Sequence, residues 1–127
     1  LKLANEIEKY AVKSGKTVEI LVQFNTGREP QKFGADPDEA MTLIEAVGKL
    51  PRVRVRGLMA MAPYTEDAGL IRKTFGDLRG IRDQVLKNFK GHASVTMQYL
   101  SMGMSSDYRI AIEEGSNMVR VGSALFK

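Results

Sequence analysis

The chain has no cysteine and no tryptophan among its 127 residues. Without cysteine there can be no disulfide framework, no Cys-ligated zinc site and no thiol chemistry. A single histidine, His92, excludes a site assembled from several imidazoles of this chain. No apolar run approaches the roughly 18 residues that a membrane-spanning helix needs. Charge of one sign is also scarce. Nineteen Lys and Arg against fifteen Asp and Glu leave a formal +4, and aromatic residues make up 7%. The basic residues are scattered, apart from Arg52, Arg54 and Arg56, whose alternation reads as the solvated start of a strand. A nucleic-acid footprint needs a denser basic patch. Neither nucleic acid nor a membrane is therefore expected as a partner. What remains is a chain with 43% hydrophobic and 27% charged residues, the composition of a globular domain.

Periodicity divides the chain into alternating helices and strands. Leu3, Ile7, Tyr10, Ala11 and Ser14 form a helical stripe that Gly15 can stop. Val18–Phe24 is a β-branched, apolar strand, followed by a polar, Gly-containing loop over Asn25–Gly34. Asp36-Pro37-Asp38-Glu39 starts a helix, with Asp36 as cap, Pro37 in the first turn and Glu39 positioned for a capping box. Its apolar face is Ala40, Leu43, Ile44 and Val47, and Leu50-Pro51 ends it. Val53–Met61 is the second strand. Ile71, Phe75, Leu78, Ile81, Val85 and Phe89 mark one face of a long helix over Leu70–Phe89. Tyr99–Met102 is a short strand. Ser106 or Asp107 can cap a brief helix over Tyr108–Glu114, and Met118–Phe126 is a final strand.

This order is the grammar of α/β units around a parallel sheet. It fits two architectures: an open four-stranded sheet, or half of a (βα)8 barrel, which needs about 250 residues when complete. The short last unit and the Gly- and Ser-rich loops after the last two strands favour the half barrel, since barrels often bind phosphate there. The chain begins at Leu1, without a signal-peptide pattern, and ends just after an apolar run. Both ends are expected to be cuts in a longer chain.

Two segments stand out chemically. Ser101-Met102-Gly103-Met104-Ser105-Ser106 lies where a strand hands over to a helix. There, hydroxyls and unpaired N–H groups can hold a phosphate; the alternative is a glycine-containing turn with a serine cap. The segment matches neither a P-loop nor a GxGxxG fingerprint. In the second segment, Arg120 interrupts an apolar strand on the same face as Gly122. A charge in a barrel interior needs a partner, and glycine leaves room for a ligand at the backbone; the alternative is a surface arginine on a terminal strand. Asn25, Thr26 and Met61 fall at the same C-terminal rim. Met59 and Met61 read as wall or core, and His92 as a surface residue on the far rim. Lys9, Lys13, Lys73 and Lys87 sit on helices and Lys32 in a loop, so no lysine has the buried strand setting of a Schiff-base residue. Asp36, Asp38 and Glu39 read as caps, not as a catalytic carboxylate pair.

Four motifs carry a family resemblance: Leu21-Val22-Gln23-Phe24-Asn25, Arg56-Gly57-Leu58-Met59-Ala60, Leu100-Ser101-Met102-Gly103-Met104-Ser105, and Gly115-Ser116-Asn117-Met118-Val119-Arg120-Val121-Gly122-Ser123-Ala124-Leu125-Phe126. Through them, residues 22–126 resemble the second half of the YggS/PROSC family of pyridoxal-phosphate homeostasis proteins. Glu29, Lys32 and Gly34 also fit the loop after the first strand. The resemblance implies an alanine-racemase-like TIM barrel, of which residues 1–127 would be the C-terminal half, roughly strands 5–8 with their helices. It implies pyridoxal 5'-phosphate (PLP) as cofactor, a cytoplasmic role in buffering or delivering it, and little catalytic activity. By position, Ser101, Gly122 and Ser123 would hold the phosphate and Arg120 would face the pyridine nitrogen, with Met102 and Asn25 completing the cofactor-binding set. No catalytic or metal-ligating residue is expected. The family's Schiff-base lysine, in a Val-Ser-Lys setting, has no counterpart here. Neither has its His-Phe-Ile-Gly segment. The covalent lysine is expected in a missing N-terminal half, in the same parent chain or a separate one. The alternatives are a PLP-dependent racemase or decarboxylase of the same fold, and a structural α/β domain.

Overall fold

A computed structural model describes residues 1–28 and 34–122. Its elements are α1 (Lys2–Ser14), β1 (Val18–Gln23), a 3-10 turn (Pro37–Glu39) leading into α2 (Ala40–Gly48), β2 (Val53–Met59), α3 (Ala68–Asn88), β3 (Val95–Met104), α4 (Tyr108–Glu113) and β4 (Met118–Arg120). Gly15 ends α1 at φ 68°, in the left-handed region that glycine enters at little cost. Asp36 Oδ1 accepts the Asp38 N–H at 2.9 Å, and Asp67 Oδ1 accepts the Leu70 N–H at 3.1 Å. These two helix starts thus have a carboxylate cap.

The strands are all parallel and lie in the order β1-β2-β3-β4. This order decides between the two architectures. Parallel crossovers are right-handed, so a sheet that always advances in one direction collects its helices on one face. A doubly wound sheet reverses direction and covers both faces. Here the helix-facing side carries the core: Val22, Phe24, Val53, Val55, Leu58, Ala60, Val95, Leu100 and Met102, packed against Ile44, Val47, Ile71, Phe75, Leu78, Val85 and Ala111. On the other face Met61, Tyr99 and Met118 remain 38–40% exposed. The chain is a four-stranded parallel half barrel with one bare face.

Two strand assignments need correction. The third strand is ten residues, not the four of Tyr99–Met102. Val55 pairs with Val95 while Gly57 pairs with Tyr99, so extra residues of β3 bulge opposite Arg56. A bulge breaks the two-residue alternation by which a strand is recognised. The bulge coincides with a close approach: a Cβ on Gly57 would collide with the main-chain oxygen of Tyr99. The last strand is shorter than expected, Met118–Arg120; the expected continuation from Ser123 lies outside the described residues. Among the described residues, no helix is long and apolar enough to cross a membrane.

Arg56 does more than mark a solvated strand start. Its guanidinium bonds Glu19 at 3.1 Å and Thr96 Oγ1 at 3.2 Å, joining three adjacent strands near their starts. Glu8 of α1 receives the Arg52 N–H at 2.9 Å, which docks the first helix at the start of β2.

Candidate functional site

Strand alternation places Ser101 on the bare face and Met102 on the helix face of β3. Ser101 pairs with Met59 on one side and Met118 on the other, and is 2% exposed. Arg120, at the end of β4, leans across it. Its Nη1 donates to Ser101 Oγ at 3.3 Å, and its Nη2 donates to the Ala60 carbonyl at 3.4 Å. One planar guanidinium therefore spans three strand ends at the C-terminal rim, as a fork of rigid donors can. Burial lowers the Arg120 pKa from its ordinary value, and the negative charge of Asp107 works in the opposite direction.

The turn beside Arg120 is tightly built. Gly103 has φ 106°, and a Cβ there would lie 2.7 Å from the Ala111 Cβ, so α4 rests directly on the end of β3. Asp107 is 7% exposed. It occupies the position before α4 but does not cap that helix with its side chain. Its Oδ1 accepts the Met104 N–H at 2.7 Å instead, while its own N–H donates to Met104 O at 3.1 Å. Farther along, α4 is tied to α3 by Glu114, whose carboxylate meets Arg72 at 3.0 Å and Arg79 at 3.7 Å.

Ser116 and Asn117 fasten β4 to β3. Asn117 Oδ1 accepts the Leu100 N–H and its Nδ2 donates to Gln98 O, both at 2.8 Å. The Ser116 hydroxyl lies 2.7 Å from Met102 O, with Met118 O and Leu100 O at 3.0 and 3.2 Å. It carries one proton, so the shortest of these is its best donor contact.

The structure thus brings Ser101 and Arg120 together. Gly122 follows two residues later, exposed, and a Cβ there would meet no described atom within 4 Å. Met102 is next to Ser101 in sequence but wholly buried in the core, so only its main chain is available to a ligand. Asn25 is half-buried at the end of β1, two strands from Ser101, with its N–H bonded to Ala35 O and its carbonyl accepting from Arg28. Ser123 and Lys32 lie outside the described residues. His92 is exposed and stacks edge-on to Phe89, at the rim where strands begin. A groove of about 430 Å³ there is walled by Phe89, His92, Val95 and Met97, remote in the fold from Ser101. Thr26 Oγ1 is buried without a hydrogen-bond partner among the described residues. Spacing could not reveal the Ala60 carbonyl, which lies 60 residues from Arg120, nor the roles of Asp107, Ser116 and Asn117. No group of three or more His, Cys, Asp or Glu among the described residues is arranged to hold a metal ion.

Comparison with known proteins agrees with this architecture. Residues 1–127 match the family described as alanine racemase, N-terminal domain. A curated relative from Aquifex aeolicus, named pyridoxal phosphate homeostasis protein, is 40% identical over 124 residues, covering 98% of this chain and 53% of its own length. Among solved structures, an unknown protein from Bifidobacterium adolescentis superposes with a TM-score of 0.92 at 38% identity, over 98% of this chain and 49% of the other. PipY of Synechococcus elongatus with PLP bound superposes at 0.82 with 28% identity, over 99% and 57%. The chain spans about half the length of the curated relatives it matches.

Proposed function

Because the chain belongs to the alanine racemase N-terminal domain family, we propose that residues 1–127 form the C-terminal half, strands 5–8, of a PLP-binding (βα)8 barrel. The whole protein serves cytoplasmic PLP homeostasis, holding the cofactor for buffering or delivery. The other half, in the same parent chain or a separate one, carries the covalent lysine. The observation that carries this reading is the contact of Arg120 with Ser101 at the strand ends, two residues before an open Gly122. The names of the curated relatives and the PLP-bound PipY support it.

The residues fit the group chemically. PLP presents a phosphate and a basic ring nitrogen, and when bound it supplies an electron sink for amino-acid chemistry. Ser101 offers a hydroxyl and Gly122 leaves space for an anion against the main chain. Arg120 is a permanent cation held at the rim. A fixed cation beside a ring nitrogen disfavours its protonation. Arg120 would therefore weaken the sink, which suits a carrier better than a carbanion-forming enzyme.

The test is Ser101→Ala in the full-length protein, read by retention of PLP during dialysis. Loss of one hydrogen bond to a charged group costs roughly 1–3 kcal/mol, so retention should fall by about fivefold to about a hundredfold. Unchanged retention would remove Ser101 from the site. Turnover of alanine or another amino acid by the full-length protein would favour a racemase or decarboxylase instead.

A further inference from the structure

We infer that Asp107 is the positioning residue of this site: it clamps the turn between β3 and α4 and acts as counter-charge to Arg120, keeping the guanidinium over Ser101. The inference rests on the PLP reading for its ligand, but its geometry stands apart from it.

Sequence alone offers Asp107 a different task, the cap of α4, and the side chain declines it. Asp107 and Met104 are bonded twice, through Oδ1 to the Met104 N–H and through the Asp107 N–H to the Met104 carbonyl. Met104 is in turn the register partner of Arg120 across the β3–β4 seam. Its partner Met104 and its chain neighbour Ser106 are exposed, whereas Asp107 is buried. A carboxylate is withdrawn from water only where hydrogen bonds and opposite charge compensate it. The Met104 N–H supplies the first, and Arg120, across from Met104 in the seam and favoured in its charged form by Asp107, supplies the second at longer range than a contact ion pair. That longer-range attraction holds at the rim a guanidinium whose own bonds are long and go to two uncharged oxygens.

Asp107→Asn and Asp107→Ala separate the two roles, because asparagine keeps an oxygen for the Met104 N–H and loses the charge. In the full-length protein, amide exchange at Met104 should rise by about tenfold in Asp107→Ala and stay near the wild-type rate in Asp107→Asn. The charge role is read by a double-mutant cycle on PLP loss. Asp107→Asn should speed release about fivefold when Arg120 is present and less than about twofold in an Arg120→Ala background. A purely structural role would give the same factor in both backgrounds. Equal factors, or no effect in either, overturn the counter-charge role; a protected Met104 amide in Asp107→Ala overturns the clamp. If the full-length protein holds no PLP, the proposed function fails. The cycle is then read from urea midpoints of the same four proteins, where equal shifts in both backgrounds overturn the inference.

Discussion

Asn117→Ala removes a side chain that acts as a length of strand. β4 has only three residues, so much of its hold on β3 comes from the residues just before it. Two bonds of 2.8 Å disappear together. The Leu100 N–H belongs to a residue 1% exposed. Water cannot replace its partner there, and an unsatisfied buried donor costs roughly 1–3 kcal/mol. The Gln98 carbonyl belongs to an exposed residue and can bond water, so its loss adds about 0.5 kcal/mol. The expected total is about 1.5–3.5 kcal/mol. Urea unfolding of the full-length protein should show a lower midpoint with an unchanged slope, since little surface exposure is altered. Amide exchange at Leu100 should accelerate in step. Asn117→Asp, which keeps the acceptor and loses the donor, should fall between alanine and wild type. An unfolding free energy within about 0.5 kcal/mol of wild type, or an unmoved Leu100 amide, would refute the view that this side chain completes the β3–β4 seam.

Gly57→Ala should destabilise by about 3 kcal/mol or more, because its Cβ would meet main-chain atoms of Tyr99 that no rotamer change can move aside. Gly80→Ala is the matching control. It lies inside α3 with no atom within 4 Å of the added Cβ, and should stabilise by roughly 0.5–1 kcal/mol in a thermal melt. Arg120→Lys should retain PLP but alter its absorbance, since one ammonium cannot reproduce the planar fork that reaches both Ser101 and Ala60; an identical spectrum would show that charge alone suffices.

Much of the architecture was legible in the residues. The helical stripes, the carboxylate cap at Asp36 and the glycine stop at Gly15 are local signals, complete within a few residues. Alternation likewise set Ser101 and Met102 on opposite faces of their strand. The third strand escaped because a bulge opposite Arg56 spoils the alternation by which strands are recognised, and the cause of that bulge lies on another strand. Asp107 was misread for a related reason. An acidic residue before a helix looks like its cap whichever way the side chain turns, and the preference for Met104 arises only once β3 and α4 have met. The sequence by itself determined the alternating order of helices and strands and, where a strand runs without a bulge, which side each residue occupies, because those follow from spacing along the chain. Only the tertiary structure decided that Ser101, Arg120 and Ala60 meet, and that one sheet face stays bare, because these depend on strand order and register, which are set by contacts between residues far apart in the chain.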